Sequence, residues 1–113
     1  ISSECVDLYN SKVVRSAMGA HFYLNQIIIK NLDSLIPKLQ KNGFSIIGAE
    51  LNGTSINKFK APKKWALVLG SEAHGISLSI KSLLDESVTI PNKNNVESLN
   101  VAVAAGIILN SLV

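Results

Sequence analysis

Cysteine is almost missing: Cys5 is the single one in 113 residues, so no disulfide can close within the chain and a reducing cytoplasm is the expected compartment. Cys5 itself reads as a small hydrophobe. With that one sulfur and two histidines, His21 and His74, there is no zinc-type ligand spacing, and no metal is expected. Aromatic residues are only 5% of the chain, which leaves the core to aliphatic side chains. The longest apolar run, Val101 to Leu109, is far short of the ~20 residues that cross a bilayer and contains Gly106, so no membrane span is expected. Ile1-Ser2-Ser3-Glu4 shows neither a basic n-region nor an apolar h-region, so no intact signal peptide is expected there. Because the first residue is Ile and not Met, the chain is read as a piece of a longer protein. Three enzymatic signatures are also missing. No Gly-Lys-Ser or Gly-Lys-Thr follows a glycine loop, no Gly-x-Gly-x-x-Gly opens a helix, and no serine sits in a Gly-x-Ser-x-Gly elbow. These absences count against classical ATP binding, NAD binding and a serine hydrolase triad.

What is present is an apolar-rich chain, 47% hydrophobic and 17% charged, of a length suited to one domain. Its net charge of +3 favours a polyanionic partner without establishing one. Asp7 and Asn10 ahead of Lys12 to Met18, closed by Gly19, read as a helix, and Phe22 to Ile29 reads as extended. A second helix is expected from a cap at Asn31 or Asp33 through Lys41, with Pro37 near its first turn and Asn42-Gly43 ending it. Phe44 to Ala49 reads as a strand, Asn52-Gly53 as a turn, and the basic stretch to Lys64 as a loop. Trp65 to Leu69 reads as a strand buried on both faces. A helix capped by Ser77 or Ser79 and running to Leu84, a strand from Ser87 to Ile90, and a turn from Pro91 to Asn95 follow. The last helix, Ser98 to Val113, is apolar around most of its circumference, which predicts burial on more than one side. The alternation predicts an α/β fold with a mostly parallel sheet flanked by helices.

In such sheets ligands gather at the carboxyl ends of the strands. Those ends are Ala49 to Gly53, Gly70 to Gly75 and Ile90 to Asn95. Gly70 and Gly75 allow close backbone approach or positive φ, and Glu72 between them can accept a hydrogen bond from a hydroxyl or amine; equally, they read as turn glycines and a solvated acid. Ser98 fits an N-cap, whereas Asn100, followed directly by Val-Ala-Val-Ala-Ala, is better placed to face something polar. Lys58, Lys60, Lys63 and Lys64, with Phe59 and Trp65, suit phosphate contacts and base stacking or, alternatively, a solvated loop. Arg15, the only arginine, fits either a phosphate ligand or an exposed helix position.

The strand-Gly70-x-Glu72-x-x-Gly75 segment, Ile90-Pro91, and Ser98-Leu99-Asn100-Val101-x-x-Ala104-x-Gly106 resemble motifs two and three of the SpoU/TrmH family of RNA ribose 2′-O-methyltransferases, in the SPOUT superfamily. Tyr9 to Ala20 is similar to the family's segment between motifs one and two, so nearly the whole chain is covered. The resemblance implies S-adenosylmethionine as cofactor, RNA as substrate, ribosomal or transfer, and a trefoil knot at the C-terminal end, an exception to the usual unthreaded connections. It also implies a homodimer through the knot helices. By position it implies Gly70, Ile90 and Leu99 as backbone contacts to the cofactor, with Leu51, Glu72 and Pro91 nearby and Gly75 beside them; Ser98, Asn100 and Glu72 are the candidate catalytic residues, suited to orientation by hydrogen bonding and none of them a convincing lone base. Arg15 fits a later arginine of the pattern and is assigned to substrate phosphate. The family's motif one, an Asn followed by a catalytic Arg, has no counterpart in the chain. Residues 1–113 are thus expected to be a partial catalytic domain, weak or inactive by itself. The competing expectations are a non-catalytic RNA-binding or dimerisation module on the same fold, and an unrelated α/β nucleotide-binding domain.

Overall fold

A computed structural model of the chain describes residues 27–71, 74–91 and 101–113. Residues Leu35–Val113 form a compact unit of their own. The helix expected over Lys12 to Met18 and most of the extended segment Phe22 to Ile29 lie outside the described residues.

Helix α1 runs Leu32–Lys41, with Asp33 in its first turn and Lys38 and Lys41 in its last, each charge placed where the helix dipole favours it. Pro37 sits inside α1, farther along it than the expected place near the first turn. The end follows from the sequence: Gly43 adopts φ 91°, the Phe44 amide donates to the Leu39 carbonyl at 3.0 Å, and the Gly43 amide donates to Gln40 at 3.0 Å. This is a Schellman closure, and only glycine takes that left-handed position without strain.

Strand β1, Ser45–Ser55, lies between β2, Trp65–Val68, and β3, Glu86–Thr89, and both pairings are parallel. Ile46, Ile47 and Gly48 at its centre are buried, as expected for the middle strand of a covered sheet. Strand β2 is half-buried along its length and forms an edge of the sheet among the described residues, which corrects the expectation of a strand buried on both faces. Consecutive side chains of β1 point to opposite faces. On one face Ile47 clusters with Val88, Ile108 and Leu112, with Ile56, Phe59 and Trp65 packed against them. On the other, the space over Gly48 is taken by the side chains of Leu84 and Ile76. Each fully buried aliphatic side chain contributes about 1.5–3 kcal/mol.

The expected turn at Asn52-Gly53 is instead part of β1. Ala49 pairs with Val88, then Thr54 pairs with the same Val88, so Glu50 to Gly53 are an insertion in the register. Glycine is required there because a Cβ on Gly53 would lie 2.6 Å from the backbone of Ser87 and Val88. The connection from Ile56 to Lys64 returns the chain to the amino edge of the sheet without a helix.

Helix α2 is a single turn, Leu78–Lys81, with Ser77 at the N-cap position but making no side-chain capping bond, and it ends before Leu84. Asp85 then holds the amino edge of the sheet: its carboxylate accepts from the Ile46 amide at 2.7 Å and from Gln40 Nε2 at 3.1 Å, while its own amide donates to Ile46 O at 2.8 Å. Helix α3 is described over Val101–Leu112. It buries Ile108 and Leu112 but leaves Val103, Ile107 and Leu109 exposed, so among the described residues the all-round apolar surface is covered on one side. Residues 92–100, which precede α3, lie outside the described residues, and with them the threading of the trefoil knot expected at the C-terminal end.

Candidate active site

Three parallel strands end on the same edge of the sheet, and the central strand carries the intervening residue. Gly48 is level with Val68 of β2, so Gly70 lies two residues beyond the last β1–β2 pair. Ser55 is level with Thr89 of β3, so Ile90 follows the last β1–β3 pair. Leu51 lies between them in chain position, within the register insertion of β1. Neighbouring strands are about 4.8 Å apart, which brings the ends of β2 and β3 within roughly 10 Å across the sheet. The topology therefore places Leu51, Gly70 and Ile90 at one edge.

The two ends of the loop after β2 are tied together. Ser71 and Gly75 exchange two backbone hydrogen bonds, Gly75 N to Ser71 O at 2.9 Å and Ser71 N to Gly75 O at 3.3 Å, and the His74 amide donates to Ser71 Oγ at 3.0 Å. Gly75 has φ 67° with open space where a Cβ would be, so its glycine serves the backbone angle. Gly70 is glycine for a different reason. A Cβ there would collide with the Gly75 carbonyl carbon and lie 2.5 Å from the Ile76 amide nitrogen. The close approach read from the sequence at Gly70 is thus first an approach of the loop to itself.

This edge presents apolar surface to its surroundings. Leu51 is 74% exposed and Leu69 39% exposed, Ile90 is half-buried against the core, and Pro91 is exposed. Exposed leucines beside a glycine loop suit a flat ligand with apolar faces, held at its rim by backbone groups. Glu72, Ser98, Leu99, Asn100 and Arg15 lie outside the described residues. Among the described residues, no group of three or more His, Cys, Asp or Glu is placed to hold a metal ion. Among them, too, no helix is long and apolar enough to cross a membrane.

The sequence reading passed over Glu50. Its carboxylate, 16% exposed, accepts from Ser87 Oγ at 2.8 Å and pairs with Lys81 Nζ at 3.3 Å, linking β1, β3 and α2 immediately before Leu51. An acid at the end of the apolar run Ile46 to Ala49 was the available signal.

Comparison with known proteins identifies the family. The chain matches the SpoU rRNA Methylase family over residues 1–110. It is 38% identical over 101 residues to a protein of Borreliella burgdorferi described as an uncharacterized tRNA/rRNA methyltransferase, covering 88% of this chain and 44% of that one. It is 34% identical over 107 residues to the Bacillus subtilis 23S rRNA (guanosine(2553)-2′-O)-methyltransferase RlmP, covering 94% of this chain and 43% of RlmP. Among solved structures, the SpoU methyltransferase AviRb of Streptomyces viridochromogenes in complex with AdoMet superimposes with a TM-score of 0.86 at 26% identity, covering 98% of this chain and 46% of AviRb. The chain thus spans less than half the length of these relatives. With a parallel sheet, a shared strand edge and a match that runs nearly end to end, this chain belongs to the SpoU rRNA methylase family.

Proposed function

We propose that the protein containing this chain methylates a ribose 2′-hydroxyl in ribosomal or transfer RNA, with S-adenosylmethionine as donor. The observation that carries the reading is the assembly of Leu51, Gly70 and Ile90 on one strand edge in a member of this family. The 2′-O position is supported by the likeness to RlmP, and the donor by the likeness to AdoMet-bound AviRb.

When bound, S-adenosylmethionine supplies a methyl group that is already electrophilic on a sulfonium. The chain's own residues then have to bind and aim. Backbone at Gly70, Ile90 and Leu99 holds the donor, with Leu51, Gly75 and Pro91 shaping its surroundings. Ser98, Asn100 and Glu72 orient the ribose by hydrogen bonds, and Arg15 grips an RNA phosphate. Fixing reacting atoms in line contributes up to about 7–11 kcal/mol in favourable systems, and a positioned base a further ~10²–10⁴-fold. The base is assigned to an arginine outside these 113 residues, so the chain alone is expected to bind the donor and to transfer methyl weakly or not at all. The same reading includes a C-terminal knot, a cytoplasmic location and a homodimer formed on the exposed side of α3, where Val103, Ile107 and Leu109 await cover.

Calorimetric titration of the 113-residue chain with S-adenosylmethionine tests the site. Methyl transfer from labelled donor to rRNA and tRNA by a chain extended upstream, followed by nucleoside mass spectrometry, tests the reaction. Donor binding together with 2′-O-methylnucleosides is expected. Base-methylated products would overturn the ribose assignment, and RNA binding with no donor binding would leave a non-catalytic module.

A further inference from the structure

We propose that Lys58 is a positioning residue for RNA, holding a backbone phosphate at the β3 side of the strand edge described above; this rests on the methyltransferase reading. The turn that carries it is fixed by four hydrogen bonds. The Ile56 amide donates to Thr89 O at 3.0 Å, tying the turn to the residue just before Ile90. The Lys58 and Phe59 amides both donate to Ser55 O, at 2.9 and 3.1 Å, and the Asn57 amide donates to Ser55 Oγ at 3.2 Å. Ile56 and Phe59 are drawn into the core, so Asn57 and Lys58 between them are left exposed. A cation on a pinned turn beside the site loses less freedom on meeting a phosphate than one on a loose loop.

The other lysines with recorded contacts are engaged elsewhere. Lys81 pairs with Glu50 at 3.3 Å. Lys64 reaches Asn42 O at 3.5 Å and lies 5.6 Å from the Phe44 ring centroid, at the amino edge of the sheet. Lys58 has no carboxylate partner among the described residues. A lysine ammonium meets phosphate as a point charge, so one contact adds to affinity and to its salt dependence without reading sequence.

The test compares Lys58→Ala with Lys41→Ala, which removes an equal charge from α1 at the opposite edge of the sheet. A fluorescein-labelled RNA stem-loop is titrated with each chain at several salt concentrations, and S-adenosylmethionine affinity is measured alongside. Lys58→Ala is expected to weaken RNA binding several-fold and to reduce the slope of log K against log salt by about 0.7–0.9, with donor affinity unchanged. Lys58→Arg should restore both, and Lys41→Ala should move neither. Equal losses for the two alanine variants, or no change of slope at Lys58, would overturn the proposal. If the salt-slope contrast holds and no methyl transfer is found with an extended chain, the reaction reading fails while the phosphate contact stands. If transfer is found without the contrast, only the phosphate contact fails.

Discussion

Replacing Gly53 by alanine is the sharpest probe of the register insertion that puts Leu51 at the sheet edge. The added methyl would lie 2.6 Å from Ser87 C and Val88 N and 2.7 Å from Val88 C. All three are backbone atoms of β3, so no side chain can rotate away. Carbon atoms pack at about 3.5–4.0 Å, so β1 and β3 must separate by roughly 1 Å here. That movement stretches the neighbouring Ile56 N to Thr89 O bond, now 3.0 Å, beyond useful length. Overpacking costs about 1–3 kcal/mol and a lost hydrogen bond about 0.5–1.5 kcal/mol, so about 2–4 kcal/mol in all is expected. In a domain of this size that lowers the melting temperature by roughly 8–16 °C. Urea unfolding followed by fluorescence of Trp65, the only tryptophan and part of the core, measures it. The comparison variant is Gly75→Ala, where the Cβ enters open space and only the φ of 67° is strained, at a cost of about 1–2 kcal/mol. A Gly53→Ala chain as stable as the native one, with the same strand pairing, would refute the steric reasoning.

Two further outcomes follow from the same structure. Asp85→Ala leaves the Ile46 amide without its 2.7 Å acceptor and Gln40 without one of its two, so about 1–3 kcal/mol of stability should be lost, with faster hydrogen exchange at Ile46 read by NMR. Gly106→Ala, inside α3 with nothing within 4 Å of the new Cβ, should raise the urea midpoint, worth about 0.5–1 kcal/mol, because glycine is a poor helix former.

Much of the sheet was legible because parallel strands leave continuous apolar runs, as both Phe44 to Ala49 and Trp65 to Leu69 do, although the run at Trp65 does not tell a half-buried edge strand from a covered one. The α1 terminus was legible for a similar reason, since Asn42-Gly43 after a helical run announces a left-handed closure. Gly53 was misread because Asn-Gly is a strong turn signal, and one sequence does not reveal that a neighbouring strand's backbone crowds the position. Helix α2 was read too long because Ser77 to Leu84 has enough apolar residues for a helix, yet Leu84 is used to fill the space over Gly48. The strand-end rule and the motif resemblance put Leu51, Gly70 and Ile90 together as candidates, and the strand register brings all three to one edge. They did not reveal that Gly70 answers to Gly75 and Ile76, nor that Glu50 bridges three elements, because both depend on contacts distant in pattern.

The mutual hydrogen bonds of Ser71 and Gly75 fasten the two ends of the β2 exit to each other, so neither end can shift without the other. A change at Gly75 should therefore be felt at Ser71, and at Gly70 through the backbone packed against it.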